Sequence, residues 1–312
     1  YREITGSPMF TKVTMETLTY HGLGLGFVAV TLRQSERVKK PGASTDIFNF
    51  GVTTVSSYLL QGLLGLAVTL GLFYALGNWP VSGLLLPMGY GQGPGQAYNW
   101  GHIYETATSN GLGPFRYGTS FGLTVAAMGF IAASVGGVIY LHRMKRRGYI
   151  NARVENADEI EDLSAEVITQ KGEIPLTESL DKLTVQIGLV VFTYMAAYAL
   201  MYLISLGLDS LGGFFANTIK PLIWGFNFLV GTVMAILFKL ILRKLTSKGI
   251  IRRQYLNNFM LSRIGGVMFD IMVVASIAAI ELSAFAHREF IIPLVVICVL
   301  GGVATYWQID FI

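Results

Sequence analysis

The sequence predicts an all-α, polytopic membrane protein that contains broken helices and a glycine-rich re-entrant hairpin. Apolar residues make up 53% of the 312 residues and charged residues only 13%, with a mean hydropathy of +0.54, whereas soluble domains are about 25% charged. The apolar residues form long blocks, and roughly 20 consecutive apolar residues let a helix cross a bilayer. Between the second and third blocks, residues 77–97 read GNWPVSGLLLPMGYGQGPGQA and interrupt this pattern.

Each long apolar block predicts one spanning helix. The blocks cover residues 10–32, 47–76, 119–141, 183–206, 221–242, 256–282 and 290–308. The first block has glycines at 22, 24 and 26, and because each costs about 1 kcal/mol relative to alanine inside a helix, we expect local unwinding there. In the third block, small residues at three- and four-residue steps predict a close-packing face. They are Gly122, Ala126, Gly129, Ala133 and Gly136.

Residues 77–97 are predicted to enter the membrane and return to the same side. Their apolar core, residues 81–88, is too short to cross a bilayer. Alternate glycines around a proline follow, and we expect this pattern to prevent a helix. Bare backbone is tolerated at membrane depth only where protein covers it or where it lines a cavity. We therefore expect the tip to present peptide groups to a ligand; a tight extracellular turn is the alternative. The predicted binding residues of the tip are Gly91, Gln92, Gly93, Pro94, Gly95 and Gln96.

Three loops carry most of the positive charge, and positively charged loops lie on the cytoplasmic side of a membrane. Loops 33–46, 142–182 and 243–255 are therefore predicted to be cytoplasmic. The order of the spans agrees with all three loops only if the hairpin enters and leaves on the outer side. Residues 149–182 are polar and largely acidic, so we expect them to form a linker between two sets of helices.

Two further regions of the predicted spans carry polar groups that indicate binding. Asp270 lies in the middle of its span, where an ionisable side chain is costly and by default indicates function; an ion pair with Arg263 is the structural alternative. His21 lies beside the glycine-rich stretch of the first span, and His21, Gly22 and Gly24 are predicted binding residues. For His21, simple packing is the alternative.

A polar stripe follows the second predicted span. Its members recur at steps of four, which places them on one helix face. They are Asn49, Thr53, Ser57 and Gln61. The stripe fits either a substrate path or hydrogen bonds between helices, and we favour the hydrogen bonds, each worth about 0.6 kcal/mol.

The sequence also argues against several functions. Its one cysteine, Cys298, excludes a disulfide framework and a cysteine metal site. The four histidines stand far apart, so neither an enzyme activity nor an organic cofactor is predicted. We expect the protein to lie in a lipid bilayer, and we do not expect it to bind a nucleic acid. Because the chain begins at Tyr1 and an apolar block reaches Ile312, we expect further sequence at both ends.

The runs GYGQGPGQA, AYNWGHIYE and GTSFGLTVAAMGFIAASVGGVIYL resemble the bacterial sodium/glutamate symporter family. That family has a glycine-rich re-entrant loop of the type GGHGTG, and residues 90–95 occupy the corresponding positions here. The upstream run HGLGLGFVAVTLR resembles the broken third helix of the family. The resemblance covers most of 10–147 and, more weakly, 183–312.

This resemblance implies an inverted-repeat transporter. Its halves would be residues 1–148 and 183–312, joined by the linker 149–182, with the first helices, the last helix and a second hairpin outside the sequence. It implies a homodimer in the bacterial cell (inner) membrane that couples Na⁺ to the uptake of L-glutamate or a similar anionic amino acid, with unassigned Na⁺ ligands. Gln92 and Pro94 replace the histidine and threonine of the family loop, so another organic anion remains an alternative, and a channel a weaker one.

Overall fold

The computed structural model describes residues 11–34, 43–106, 114–148, 181–250 and 255–311, and these residues form helices and no strand. The helices are α1 (Lys12–Leu32), α2 (Ala43–Leu76), α3 (Leu85–Gln92), α4 (Pro94–Thr106), α5 (Gly118–Arg146), α6 (Lys182–Leu211), α7 (Lys220–Gly225), α8 (Asn227–Ser247), α9 (Asn258–Ala278) and α10 (Arg288–Phe311). Short 3₁₀ turns cover Ser82–Leu84 and Leu282–Ala286, and a π-helical turn covers Phe215–Ile219. The predicted linker 149–182 lies almost entirely outside the described residues.

Five of the described helices, namely α2, α5, α6, α9 and α10, are long and apolar enough to cross a membrane, and a bent pair that ends in α8 can supply a sixth. This confirms the predicted all-α, polytopic membrane architecture. The remaining predicted span, residues 10–32, corresponds to α1. That helix is 21 residues long but carries Lys12, Glu16 and His21, and it is not among the five.

The described residues divide into two compact units, each built from separate stretches of the chain. One unit takes its residues from 1–20, 38–152 and 273–312, and the other from 21–37 and 153–272. These units do not coincide with the predicted halves 1–148 and 183–312, because the last spanning helix belongs to the same unit as the first half. The repeat organisation itself stays a prediction.

In the first unit, α2, α3, α4, α5 and α10 share one apolar core. Its largest fully buried side chains include Leu85, Leu86, Phe121 and Ile297. Near the start of α1, Lys12 bonds to Glu281, and its Nζ lies 3.5 Å from Glu16 Oε1. This pairing satisfies charges at the end of a helix that the sequence places near the membrane surface.

In the second unit, the part of α1 after Tyr20 packs against α6, α8 and α9. The predicted unwinding at glycines 22, 24 and 26 is wrong, because α1 is a continuous helix there. A methyl group on Gly22 would lie 3.1 Å from Met272 Cβ, and one on Gly26 would lie 2.6 Å from the ring of Phe269. These glycines therefore allow neighbouring helices and rings to approach closely, and packing outweighs their low helix propensity.

The end of α1 is fixed by a side chain from α8. Lys239 Nζ donates to the carbonyl oxygens of Thr31 and Arg33, at 2.8 Å each. The last carbonyls of a helix lack partners within the helix, and a cation there satisfies them and complements the helix dipole. A charged hydrogen bond from α8 thus fixes the C-terminal end of α1 in the second unit.

The predicted continuous span 221–242 is wrong. The helical stretch Phe215–Gly225 and α8 meet at a break and bend by 66°. Phe226, between them, has φ −100° and ψ 33°, outside the helical region. Gly225 is a poor helix former, and Asn227 directs its side chain to another helix, as described below, so the break is held by a tertiary contact.

We expect Gly83→Ala to lower the free energy of unfolding by about 1–3 kcal/mol, the usual cost of overpacking. A methyl group on Gly83 would overlap the carbonyl of Gly65 in α2. Gly71→Ala in α2 is the matched control, because nothing lies within 4 Å of its added carbon, and it should be neutral or stabilising by up to about 1 kcal/mol. Thermal unfolding of the purified protein in detergent measures both, and equal midpoints would contradict the packing.

Candidate functional site

The segment after α2 runs back along α2 from its C-terminal end. Asn78 Nδ2 donates to the carbonyl of Thr69 at 3.1 Å, and the Thr69 hydroxyl donates to the carbonyl of Pro80 at 2.7 Å. Gly83 backs onto Gly65. Residue numbers thus rise in the segment while they fall in α2, so the two run antiparallel.

This antiparallel run ends near the middle of α2. The hydroxyl of Tyr58 donates to the carbonyl of Gly91 at 3.0 Å. Tyr58 lies close to the centre of the helix Ala43–Leu76. The segment therefore accompanies α2 for only about half of its length.

The chain turns at Gly93, between α3 and α4. Gly93 has φ 81° and ψ −175°, a conformation that essentially only glycine adopts. Its carbonyl accepts the first hydrogen bond of α4 from the Ala97 N–H at 3.2 Å. Pro94 is the first residue of α4, where a missing N–H has no cost. A single residue thus ends one helix and begins the next.

The prediction that the glycine-rich tip cannot be helical is wrong, because α3 continues through Gly89 and Gly91 and α4 begins before Gly95. A methyl group on Gly89 would lie 2.8 Å from the Ala126 backbone nitrogen of α5, and one on Gly91 would strike the ring of Tyr58. Close contact with two long helices stabilises α3 here and overrides the low helix propensity of glycine.

The return path follows α5 toward its N-terminal end. Gly122 backs onto Ala97. The Glu105 carboxylate at the end of α4 accepts from the Thr119 N–H at 3.1 Å and from the Thr119 hydroxyl at 2.6 Å. The segment thus ends beside the first turn of α5, and along α5 its deepest contact is between Tyr90 and Gly129.

Gln96, on the first turn of α4, is the most unusual polar residue of the first unit. Only 3% of it is exposed, and neither Oε1 nor Nε2 has a hydrogen-bond partner among the described residues. Leaving a buried polar group unpaired costs about 1–3 kcal/mol. Such a cost requires an explanation, and a ligand that bonds to this carboxamide is one. Pro94 and Gly95 are buried with it, whereas Gly91 and Gln92 are exposed.

A cavity of about 300 Å³ lies beyond the turn, between α2, α3, α5 and α10. Tyr90 lines it and donates to the carbonyl of Cys298 at 2.7 Å. Gln61 also lines it, and its Nε2 donates to Thr305 Oγ1 at 2.8 Å. The favoured interpretation of the polar stripe, hydrogen bonds between helices, thus holds for Gln61, while Ser57 bonds to the carbonyl of Thr53 within α2.

The second unit has a polar cluster of its own, beside the break in the helix at Phe226. The Tyr194 hydroxyl lies 2.9 Å from His21 Nδ1 and accepts from Asn227 Nδ2 at 3.1 Å. Asn227 is fully buried and is the first residue of α8. Gly24 contacts the Tyr194 ring. The structure therefore places two predicted residues, His21 and Gly24, in one cluster with Tyr194 and Asn227.

Two members of this cluster, Tyr194 and Asn227, were not predicted. The available signal is the run WGFN at residues 224–227, where a glycine precedes an asparagine inside an apolar block. Tyr194 carries no such signal, because an aromatic residue in an apolar span is ordinary. Gly22 packs on α9 instead, where an added methyl group would lie 3.1 Å from Met272 Cβ and 3.2 Å from the carbonyl oxygen of Met268.

Asp270 lies exposed on α9 and makes no hydrogen bond or ion pair with another described residue. Arg263 instead places its guanidinium 5.2 Å from the ring centre of Phe259. The ion pair considered as an alternative is therefore not formed, and the functional role of Asp270 stays a prediction. No group of three or more His, Cys, Asp or Glu residues within the described ranges could hold a metal ion.

We expect Tyr194→Phe to lower the free energy of unfolding by about 1–3 kcal/mol, because it removes the hydroxyl that joins His21 to Asn227 in a buried site. Tyr202→Phe, one of the exposed tyrosines of the same helix, is the control and should change stability by less than about 0.5 kcal/mol. Denaturation in detergent followed by tryptophan fluorescence provides the measurement. Equal losses for the two variants would show that the hydroxyl of Tyr194 has no special role.

The chain matches no protein-family model, no curated protein and no solved structure. The resemblance to the sodium/glutamate symporter family therefore depends on the residues quoted for it, and its consequences stay proposals.

Proposed function

We propose that this protein is a secondary active transporter that couples Na⁺ to the uptake of an anionic solute, L-glutamate or a related amino acid. The observation that carries the proposal is the half-length excursion of the chain between α2 and α5. The segment reaches the level of Tyr58 in α2 and of Gly129 in α5, turns at Gly93 and returns. It begins at the C-terminal end of α2 and ends at the N-terminal end of α5, and both helices are long and apolar enough to span a membrane.

A segment that follows two spanning helices for half of their length lies at about half the depth of the membrane. At that depth a turn of the backbone is tolerated only where it is covered by protein or lines a cavity. The path of the chain between α2 and α5 thus supports the proposal that the predicted hairpin, residues 77–97, is re-entrant. The basic residues at the other end of α5, Arg143, Lys145 and Arg146, favour entry of the hairpin from the outer side.

The turn offers groups that can bind a carboxylate. The first N–H groups of a helix have no partner within it and carry the positive end of the helix dipole. In α4, a helix of 13 residues, these include the N–H groups of Gly95 and Gln96. The unpartnered Gln96 carboxamide lies on the same turn and adds a donor and an acceptor. Because the tip has no Lys or Arg, we propose that peptide and amide groups recognise the anion.

The break before α8 supports the same function in the second unit. Transporters with broken helices place helix ends near the membrane midplane, where N–H groups face anions and unwound carbonyls hold Na⁺. Here α8 begins directly after the break, at the buried Asn227, which is bonded to Tyr194 and, through it, to His21. We assign no Na⁺ ligand to these residues, and Na⁺ enters the proposal as a transported ion.

We expect the full-length protein, reconstituted in proteoliposomes, to accumulate labelled L-glutamate faster with an inward Na⁺ gradient than without one. Unlabelled glutamate, aspartate, succinate and citrate, added in excess, report which anion competes. Equal uptake with and without the gradient would remove Na⁺ coupling but keep transport. Uptake that never exceeds equilibrium with any tested gradient would favour a channel, and no uptake of any of these anions would overturn the proposal.

We expect Gln96→Met to raise the free energy of unfolding by about 1–3 kcal/mol, because an unpaired buried amide is replaced by an apolar side chain of similar size. Uptake should fall at least about tenfold if the amide binds the solute, which equals about 1.4 kcal/mol. Opposite signs for stability and transport are the signature of a residue kept for binding.

Gln186→Met is the matched control for stability. Gln186 is also buried, but its Nε2 donates to the carbonyl of Tyr255 at 2.5 Å and its Oε1 accepts from the Asn257 N–H at 3.2 Å. Replacement of Gln186 should therefore destabilise the protein by about 1–3 kcal/mol. If both variants lose stability equally, Gln96 has a structural role and the binding assignment fails.

A further inference from the structure

We propose that the cavity at the C-terminal end of α5 binds the headgroup phosphate of an anionic phospholipid. The cavity measures about 420 Å³ and is lined by Val138, Ile139, His142, Arg143, Arg146 and Arg147. The steps between successive lining residues, one and three along the helix, place them on one face of α5 and its C-terminal cap. This inference depends on the membrane-spanning nature of α5 and not on transport.

Positive charge dominates the part of this cavity nearest the C-terminal end of α5. Arg143 lies 3.0 Å from the Asp310 carboxylate of α10 and donates to the Tyr306 hydroxyl at 3.3 Å. Arg147 shares the same carboxylate at 3.7 Å. Among the described residues, Arg143 and Arg147 share this one carboxylate, so the three lining guanidinium groups keep two net positive charges for an anion to neutralise. Arg143 is held in place by two partners, so it is oriented before any ligand binds.

The part of the cavity that lies further inside the spanning helix, at Val138 and Ile139, is apolar and exposed. Val138 and Ile139 are 59% and 53% exposed although they lie inside the spanning helix. They precede Arg146 by about two helical turns, which is roughly 12 Å along the axis. One continuous face therefore offers an apolar surface on the membrane side and guanidinium groups beyond it.

A phospholipid matches this arrangement better than other anions do. Its phosphate suits the planar, multiply donating guanidinium groups, and its acyl chain suits Val138 and Ile139. Basic clusters directly beside a spanning helix attract anionic lipids, with about 1 kcal/mol for each Lys or Arg near the surface. The acidic stretch 155–181 of this chain also carries negative charge, but a polar peptide gains nothing from an apolar surface inside a spanning helix. Free phosphate likewise makes no use of that surface.

The test is a titration of the full-length protein in a neutral detergent with phosphatidylglycerol, with phosphatidylcholine and inorganic phosphate in parallel. The shift of the thermal unfolding midpoint reports binding, because a ligand of the folded state stabilises it. We expect saturable stabilisation by phosphatidylglycerol and little by the other two. Equal stabilisation by inorganic phosphate, or by phosphatidylcholine, would overturn the assignment to an anionic lipid.

Variants separate this cavity from general surface charge. Arg146→Gln and Arg147→Gln should each weaken phosphatidylglycerol binding about fivefold. Lys145→Gln removes the same charge from the same turn, but Lys145 does not line the cavity, so phosphatidylglycerol binding should weaken clearly less than in Arg146→Gln. Equal losses for Lys145→Gln and Arg146→Gln would overturn the proposal.

One further variant tests the occupant. Replacement of the acidic residues of 155–166 by their amides tests the linker as the occupant. Unchanged lipid binding in this variant supports the proposal. Lipid binding that appears only after this replacement would show that the linker fills the cavity in the intact chain, and would overturn the proposal.

Discussion

Close contact between backbones, made possible by glycine, is the constraint on which the first unit depends. Between helices in a membrane no hydrophobic force acts, so association relies on van der Waals contact and hydrogen bonds. Gly65 meets Gly83, and Gly122 meets Ala97, with almost no side chain between the backbones. The 3₁₀ turn Ser82–Leu84 thus contacts α2, and α4 contacts α5, at a distance that leaves no room for an added methyl group. These contacts fix the spacing between the backbones. The depth of the turn at Gly93 follows from these contacts and not from the turn itself.

Hydrogen bonds of polar side chains stabilise both ends of the segment whose close packing the glycines allow. The Thr69 hydroxyl donates to Pro80 and accepts from the Gly83 N–H at 3.3 Å, so it closes both sides of the entry to the segment. Glu105 closes the exit through Thr119. Among the described residues, Gln96 differs from these groups because both Oε1 and Nε2 are buried without a partner, whereas Asn78 at the entry lacks a partner only for its Oδ1.

The sequence predicted the all-α membrane class and most of the long helices because both follow from the length and composition of apolar blocks. It also located the turn, since the glycines around Pro94 include the one residue, Gly93, whose conformation requires glycine. It failed wherever packing decided the outcome. The glycines at 22, 24 and 26 face rings and helices from far along the chain, and their low helix propensity is overridden by contacts that no local pattern reports. The partnership of His21 with Tyr194 and Asn227 joins three distant segments, and for the same reason only the structure could identify it.

The two breaks differ in how they are stabilised, and this difference bears on their roles. At Gly93 the backbone itself adopts the required conformation, and the polar side chain of Gln96 beside it has no hydrogen-bond partner within the described part of the chain. At Phe226 the break is followed by Asn227, whose side chain is bonded to Tyr194. A ligand at the first break gains new hydrogen bonds without displacing any at Gln96. A ligand that bonds to the Asn227 amide group or the Tyr194 hydroxyl at the second must replace existing ones, so its binding is coupled to rearrangement of the His21 cluster. In the proposed transporter, the first break would therefore recognise the solute, and the second would rearrange when a ligand binds.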